Sequence, residues 1–557
     1  MITETLEPII YVRNEKGENV NPVYLPLSVE VYHEYNRIPS AELRYADGHI
    51  PSGKFEILDN EFFRLGNEIR IAVSDKRGKE EAIFRGFVHH KTLELNKTAP
   101  VLIISLQHKA SRMTNKRKNA VYPDALDSEI ISKLLKAHGL ASKQRNDLVQ
   151  TKVRHKQMVQ YYVTDWDFMV SRAEANALFV NVEMDHVAIV KPEISENEEI
   201  ALDLNLQSVY DFDLKADTSD QFAQVGSMGW NESKQELTDS QYGKDFPLNQ
   251  GSYDIKSFSK VFDASEKTQV SAVPVLPAEL QAWSDAKVLK SKLALVKGWI
   301  KVQGLPGVKV GDTVKLTGFS NSFSGKNIIS AIRHEVSPGR WVTYLQIGVS
   351  ACWFSTKKEV NDTPAAGLLP AVNGLQIGII KSYEHETNGA FRVKVFVPAF
   401  GIGQNTVWAK LSALDAGTGH GTYFMPEIDD EVIVGFLNDD PRHAVILGSV
   451  HHSFNRFPDN YLAESGSKGI FTRSGLQMNF NDQLNKITIG VGNDREIVID
   501  DKENKIAISD QSGNRIELRD NGITIESAEH LSIKCRGNLD IDSGGAVKIK
   551  GQSIDLI

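Results

Sequence analysis

From residue 487 onward, apolar residues return in pairs around a single intervening residue: Ile487/Ile489, Ile497/Ile499, Ile506/Ile508, Ile516/Leu518, Ile523/Ile525, Leu531/Ile533, Leu539/Ile541, Val547/Ile549 and Ile554/Leu556. Alternation of period two puts both members of a pair on one face of a short strand. Glycines at 513, 522, 537, 544, 545 and 551, with Asn and Asp beside them, mark the bends. The spacing starts at nine or ten residues and settles to seven or eight, with no proline after Pro458 and no aromatic after Phe480. Such strands bury two side chains each and leave their edges open. Three arrangements answer that need: three chains intertwined as a triangular prism, a single-chain β-solenoid of about three turns, or a flat meander. If each strand advances the axis by one sheet spacing, the rod is roughly 40–45 Å long.

Upstream, residues 1–110 read as strands, in segments such as Leu27 to Tyr35 and Val101 to Leu106 separated by Gly, Asn and Asp. Residues 111–205 are mixed. Asp127 or Ser128 is placed to cap a helix whose Ile130, Ile131, Leu134 and Leu135 form one stripe that stops near Gly139. A second helix is expected from Thr164, with Trp166, Phe168 and Met169 turned inward. Residues 206–355 return to strands around one helix that opens at Pro277. Residues 356–370, containing NDTPAAGLLPA, read as a linker. Strands recur closely enough in residues 371–453 to suit a small OB-type barrel, and residues 454–486 connect it to the repeat at 487–557.

Composition narrows the class. The 557 residues exceed one core, and 41% apolar with 24% charged residues is the balance of a folded soluble chain. A net charge of −9 without a basic block argues against nucleic acid as a partner. Two cysteines, Cys352 and Cys535, exclude a disulfide framework and a four-cysteine metal site, and read as small buried residues. The start MITETLEPIIYV has neither the basic nor the apolar region of a signal peptide, so synthesis in the cytoplasm is expected.

No enzyme activity, cofactor or metal is expected, because no G-x-S-x-G, H-E-x-x-H or P-loop motif is present. His89-His90 and His451-His452 read as surface pairs whose members point to opposite sheet faces. FGIGQ at 400–404 reads as a loop, and Asp439-Asp440 as turn carboxylates. The mixed charges along 496–557 read as a solvated outer face.

The stretch before the repeat carries a family resemblance. FRVKVFVPAF, VWAKL and AGTGHGTYFMPEIDDEVIVGFLNDDPRHAVILGSV follow one another in the order found in VgrG proteins, which resemble the fused hub and spike of contractile phage tails. Trp408, Gly421, Pro426, Glu431, Gly435, Asp440 and Gly448 are among the matching positions. The family usually has glycine near Ile428-Asp429, so the turn chemistry departs there. VQYYVTDWDFMVSRAEANALFV is similar to the family's helix signature through Asp165, Trp166, Phe168 and Arg172. A further stretch, VKVGDTVKLTGFSNSFSGKNIISAIRHEVSPGRWVTYLQIG, is similar to the second hub barrel through Gly311, Asp312, Gly325 and His334.

The resemblance implies a mainly β chain: hub barrels at 1–110 and 206–355, an α/β insertion at 111–205, an OB-fold neck, and a C-terminal intertwined triple-stranded β-helix formed as a homotrimer. The paired residues from Ile497 to Ile549 would then line the trimer axis. Its implied partners are the inner-tube hexamer protein, baseplate proteins, effector cargo, a target membrane crossed transiently, and a PAAR-like tip protein seated on Ile554, Leu556 and Ile557. The implied site is the baseplate end of an injection apparatus, from which the spike is expelled on firing. The chain's end on GQSIDLI, a blunt apolar strand, fits a capped tip, and roughly 30 residues between barrel and repeat leave no room for an inserted enzyme domain. The alternative is a surface or polysaccharide-binding protein built on a single-chain solenoid.

Overall fold

The computed structural model describes residues 8–74, 79–95, 99–142, 144, 147–195, 199–206, 209–248, 250–253, 266–361, 363–384, 391–401, 405–456, 466–492 and 494–555. The chain divides into two compact units, residues 1–362 and 363–557.

In the first unit, alternating strands bury one face each. Val29 and Val31 of Ser28–Glu34 and Ala41, Leu43 and Tyr45 of Ser40–Ala46 point into one core, while Glu30 and Tyr32 face outward. A second core gathers around Ile300, Val314, Ile329 and Leu345. Both cores lie under a single twelve-stranded sheet. The long strand Gly325–Ser337 unites them, pairing with Ser28–Glu34 on one side and Arg340–Ile347 on the other. This corrects the expectation of two separate hub barrels: among the described residues the first unit contains no closed barrel. Thirteen residues in one strand give that strand enough length to serve both halves.

Between the two halves in sequence lie helices α1 (Asp127–Ala137) and α2 (Asp165–Ala175), followed by α3 (Pro277–Leu293). Thr164 caps α2 by accepting the Asp167 backbone N–H at 3.0 Å. The cap of α1 is not Asp127 or Ser128 but Leu126, whose N–H donates to Glu129 Oε2 at 2.9 Å. Asp127 is instead the first helical residue, and its carboxylate is buried beneath α2. It receives Arg172 Nε at 2.7 Å and Arg172 Nη2 at 2.9 Å, with His155 Nε2 at 3.0 Å and Asn176 Nδ2 at 2.9 Å. Glu279 of α3 approaches Arg172 Nη2 at 3.4 Å, so one guanidinium ties three helices. Burial pushes the Asp127 carboxyl upward, but the bonds from His155 and Arg172 outweigh it and hold the group well below the usual carboxylate range.

Two further expectations change. Cys352 and Cys535 are exposed, not buried: Cys352 lies in a loop and Cys535 in a segment without strand pairing. The His89 and His90 rings stack 4.9 Å apart, because a bulge between Val88 and His90 breaks the alternation that would have separated them.

The second unit opens with a closed five-stranded barrel in the order 376–382, 392–396, 406–411, 444–449, 431–436. Val393, Val395, Ala409, Val432, Val434 and Ile446 fill it. Gly378 is required there, since a Cβ would lie 2.5 Å from Val395 Cγ1. A seven-stranded antiparallel sheet follows, from Ser467–Phe471 to Gly522–Glu526. The expected connector 454–486 therefore already holds two of its strands, Ser467–Phe471 and Leu476–Asn481. Of the loop FGIGQ, residues 402–404 lie outside the described residues.

Arg172→Met leaves the Asp127 carboxylate buried without its main counter-charge. Chemical denaturation should show a loss of about 3–5 kcal/mol, whereas wild-type stability would mean the guanidinium does not hold these helices.

Candidate functional site: an unpartnered apolar sheet face

The strand register of the seven-stranded sheet aligns the apolar pairs into two rows. One runs Ile470, Met478, Ile489, Ile497, Ile508, Ile516, Ile525, each directly opposite the next. The other runs Phe480, Ile487, Ile499, Ile506, Leu518, Ile523. Both rows lie on one face, and from Ile489 to Ile525 their side chains keep between 39% and 69% of their surface open. Covering such a side chain is worth about 1 kcal/mol, half the value of full burial, so the rows together offer on the order of 10 kcal/mol per chain.

The opposite face is mostly polar, and its Val498 and Ala507 are buried. Arg515 and Arg519 both pair with the buried Glu517 between them. Asp500 lies opposite Lys486 on one neighbouring strand and Lys505 on the other. Side-chain oxygens also shape the turns: Asp500 Oδ1 accepts the Glu503 N–H at 3.1 Å, and Asp510 Oδ1 accepts those of Ser512 at 2.9 Å and Asn514 at 3.0 Å.

Past Glu526 the repeat continues without strand pairing. Leu531, Ile533, Leu539, Ile541, Val547, Ile549 and Ile554 are all exposed. Leu556 and Ile557, expected to seat a tip protein, lie outside the described residues. Sequence reasoning missed Ile470, Met478 and Phe480, which extend the rows upstream. Their alternation was legible, but the aromatic and methionine set them apart from the isoleucine pairs.

The family positions fall into three places and do not converge on a catalytic cleft. Asp165, Trp166 and Phe168 are buried on α2, where Asp165 accepts His138 Nε2 at 2.8 Å and Gln160 Nε2 at 3.0 Å and pairs with Lys118; Arg172 is described above. Gly311, Asp312, Gly325 and His334 belong to the large sheet and its turns. At Gly311 φ is +103°, and a Cβ would meet the Tyr35 hydroxyl at 2.6 Å. Asp312 Oδ2 accepts the Lys309 N–H at 2.8 Å, and Gly325 opens the long strand at φ +136°. His334 is buried with Nδ1 3.0 Å from Thr343 Oγ1.

In the barrel, Trp408 stacks under Lys394 Nζ at 5.2 Å, and the Pro426 carbonyl accepts the Tyr383 hydroxyl at 2.5 Å. Gly421 has φ +139° with Asp415 O only 2.5 Å from a built Cβ. Glu431 and Gly435 lie in one strand, Gly448 in the next, and Asp440 is held by Arg442 Nη2 at 2.6 Å. Asp429, where glycine is usual in the resembling family, adopts φ +70°, a conformation that aspartate tolerates better than most residues.

In the first unit, a cleft of about 940 Å³ includes Tyr35, Trp166, Glu174, Lys290 and Trp299 in its walls. Glu174 is committed there to Lys290 and to the Phe354 N–H at 2.7 Å. Among the described residues no group of three or more His, Cys, Asp or Glu could hold a metal ion, and no helix is long and apolar enough to cross a membrane.

The barrel at 376–451 matches the family described as the type VI secretion system/phage-baseplate injector OB domain, which sets the class. The family described as the Alg8 N-terminal domain matches residues 9–338, more than half of the chain, and the chain belongs to that family. It is also similar to VgrG spike proteins of type VI secretion. The actin cross-linking toxin VgrG1 of Vibrio cholerae is 32% identical over 130 residues, 21% of this chain and 12% of that protein. The spike protein VgrG1c of Pseudomonas aeruginosa is 32% identical over 124 residues, 20% of this chain and 17% of that protein. The chain thus matches less than a fifth of the length of these two relatives. Among solved structures, a tail protein from Neisseria meningitidis aligns over 62% of this chain and 98% of its own, at 13% identity and a TM-score of 0.43.

Burial lowers the His334 imidazole to about 3 and His33 and His108 to about 4. The unfolded chain therefore takes up protons first as pH falls below about 6.5. Stability is full above that value and declines from there toward the folded-state values. Between pH 7 and pH 5 His334 alone should cost about 2 kcal/mol. Thermal unfolding of His334→Gln against pH should show a flatter slope over that interval; an unchanged slope would exclude His334 as a source of the acid sensitivity.

Proposed function

We propose that the chain is the hub-and-spike subunit of a contractile injection apparatus, working mechanically as a homotrimer rather than as an enzyme. The N-terminal unit would seat the inner tube, and the repeat would form the spike, with a PAAR-like tip and effector cargo carried at its far end. The observation that carries the reading is the uncovered isoleucine face of residues 467–526, continued by apolar pairs that find no strand partner among the described residues. An apolar sheet face of that length needs cover, and three copies around one axis supply it with no further component. The matched injector OB domain and the similarity to VgrG spike proteins support the apparatus. Assembly at the baseplate end and expulsion on firing follow from the same reading.

A polysaccharide-binding solenoid is the weaker reading, because residues 467–526 pair as an antiparallel meander and not as a coil.

Light scattering of the intact chain should give three times the 61.9 kDa of one chain. Ile525→Asp would place three carboxylates at one axial level, each costing several kcal/mol unpaired, and should dissociate the trimer or sharply lower its Tm. Variant trimers as heat-resistant as wild type would refute the axial placement.

A further inference from the structure

Two imidazoles stand where the two cores of the first unit meet. His33 follows Val29 and Val31 on the inward side of Ser28–Glu34, and His334 lies between Ile332 and Val336 on the inward side of Gly325–Ser337. Across the sheet His334 is opposite Val31 and His33 is opposite Ile332, so the two residues are diagonal neighbours. Val31 and Val336 belong to the first core and Ile332 to the second. The imidazoles thus interrupt the apolar face at its seam.

Their hydrogen bonds fix which nitrogen carries the proton. A bulge between Ile71 and Ala72 leaves Ile83 without an opposite residue, and the Ile83 carbonyl lies 3.1 Å from His33 Nε2. A carbonyl only accepts, so Nε2 is protonated and Nδ1 keeps its lone pair. At His334, Trp341 Nε1, which only donates, approaches Nδ1 at 3.4 Å. Thr343 Oγ1 lies 3.0 Å from the same Nδ1, and it accepts the Leu305 N–H at 3.0 Å, which leaves its own hydrogen for the imidazole. His334 therefore carries its proton on Nε2. Among the described residues neither His33 Nδ1 nor His334 Nε2 has a hydrogen-bond partner. His334 keeps only 5% of its surface open.

Both rings line one cavity of about 280 Å³, whose apolar walls are Ile83, Val182, Val308, Val310 and Ile332. The polar groups around it are committed to one another. Asn181 Nδ2 donates to Glu183 Oε1 at 3.1 Å and to the Val310 carbonyl at 3.3 Å, and Glu183 pairs with Lys309 at 3.8 Å. The neighbouring His108 is committed too, with Nε2 3.3 Å from the Met184 carbonyl and Nδ1 accepting the Ala110 N–H at 3.1 Å. Only the two inward imidazole atoms are left over, and unpaired polar atoms beside apolar walls are unfavourable until something bonds them.

We propose that this cavity binds a small neutral molecule whose apolar body carries a hydrogen-bond acceptor and donor side by side, as a primary amide does. The ligand carbonyl accepts from His334 Nε2, and the ligand N–H donates to His33 Nδ1. A carboxylate lacks the donor and would bring a charge against apolar walls. A transition metal needs a lone pair from each imidazole, and the tautomers supply one. The size agrees, since an apolar cavity of about 150 Å³ already accepts benzene. Every wall comes from one chain, so the site does not depend on the trimeric reading. Its occupant touches the central sheet, the segment 181–184 and the turn 307–310 together, and binding ties these three to one another.

Calorimetric titration of the full-length protein at pH 7 tests the site with amides and ketones of matched shape. Benzamide and isobutyramide donate and accept, whereas acetophenone and methyl isopropyl ketone only accept. At least one amide should bind about tenfold or more tightly than its ketone. Val308→Phe, which fills the cavity from the turn and leaves both histidines in place, should abolish that binding. His33→Phe should remove the preference for the amide while the ketone still binds. Equal affinity of amide and ketone in the wild type would reveal a merely apolar hole, and no binding by any probe would reveal a cavity for water alone. Either result overturns the proposal without recourse to a variant, and so does amide binding that survives Val308→Phe.

Discussion

A strand of five or six residues with two apolar side chains cannot stand alone, and the second unit is organised around that fact. Its backbone groups need neighbours along both edges, and its apolar face needs a cover. Within the chain the first demand is met from 467 to 526 by pairing adjacent strands, which simultaneously lines the isoleucines into rows. The second demand is left open. The polar face shows that the openness is one-sided: Glu517 pairs there with two arginines and Asp500 with Lys486. One side of the sheet is finished for water, and the other is unfinished.

The first unit solves a different problem. Its sheet is long enough to bury two cores, and the polar groups beneath its helices are matched one against another. The guanidinium of Arg172 serves Asp127 and approaches Glu279, while Lys290 serves Glu174 and the carbonyl of Cys352 at 2.6 Å. Such networks are costly to break and favour one arrangement of the helices over its near neighbours. The buried histidines add the opposite tendency, since each prefers a neutral interior and favours unfolding in acid.

Much of this was legible from residue order. The β-rich character, the helix at Thr164, the proline start at 277, the small barrel and the paired repeat all rest on local rules of period, capping and turn chemistry. The departures have local causes as well. The bulge at Val88 brought two histidines together that simple alternation keeps apart. Asp127 had the chemistry of a cap, but a buried arginine claimed its carboxylate. The two presumed barrels became one sheet because Gly325–Ser337 is long enough to pair with strands from both halves. None of these outcomes is written in a window of ten residues.

The sequence by itself determined which residues share a face, because the period of two leaves no choice once a strand forms. It also marked where the chain bends. It did not distinguish a bend that reverses direction from one that continues, since Gly513 and Gly537 look alike as letters. Only the tertiary structure decided that, by placing Gly513 in the left-handed region and leaving Gly537 out of it. The physical reason is that glycine permits both conformations at similar cost, so the choice passes to strand pairing, which joins residues distant in sequence.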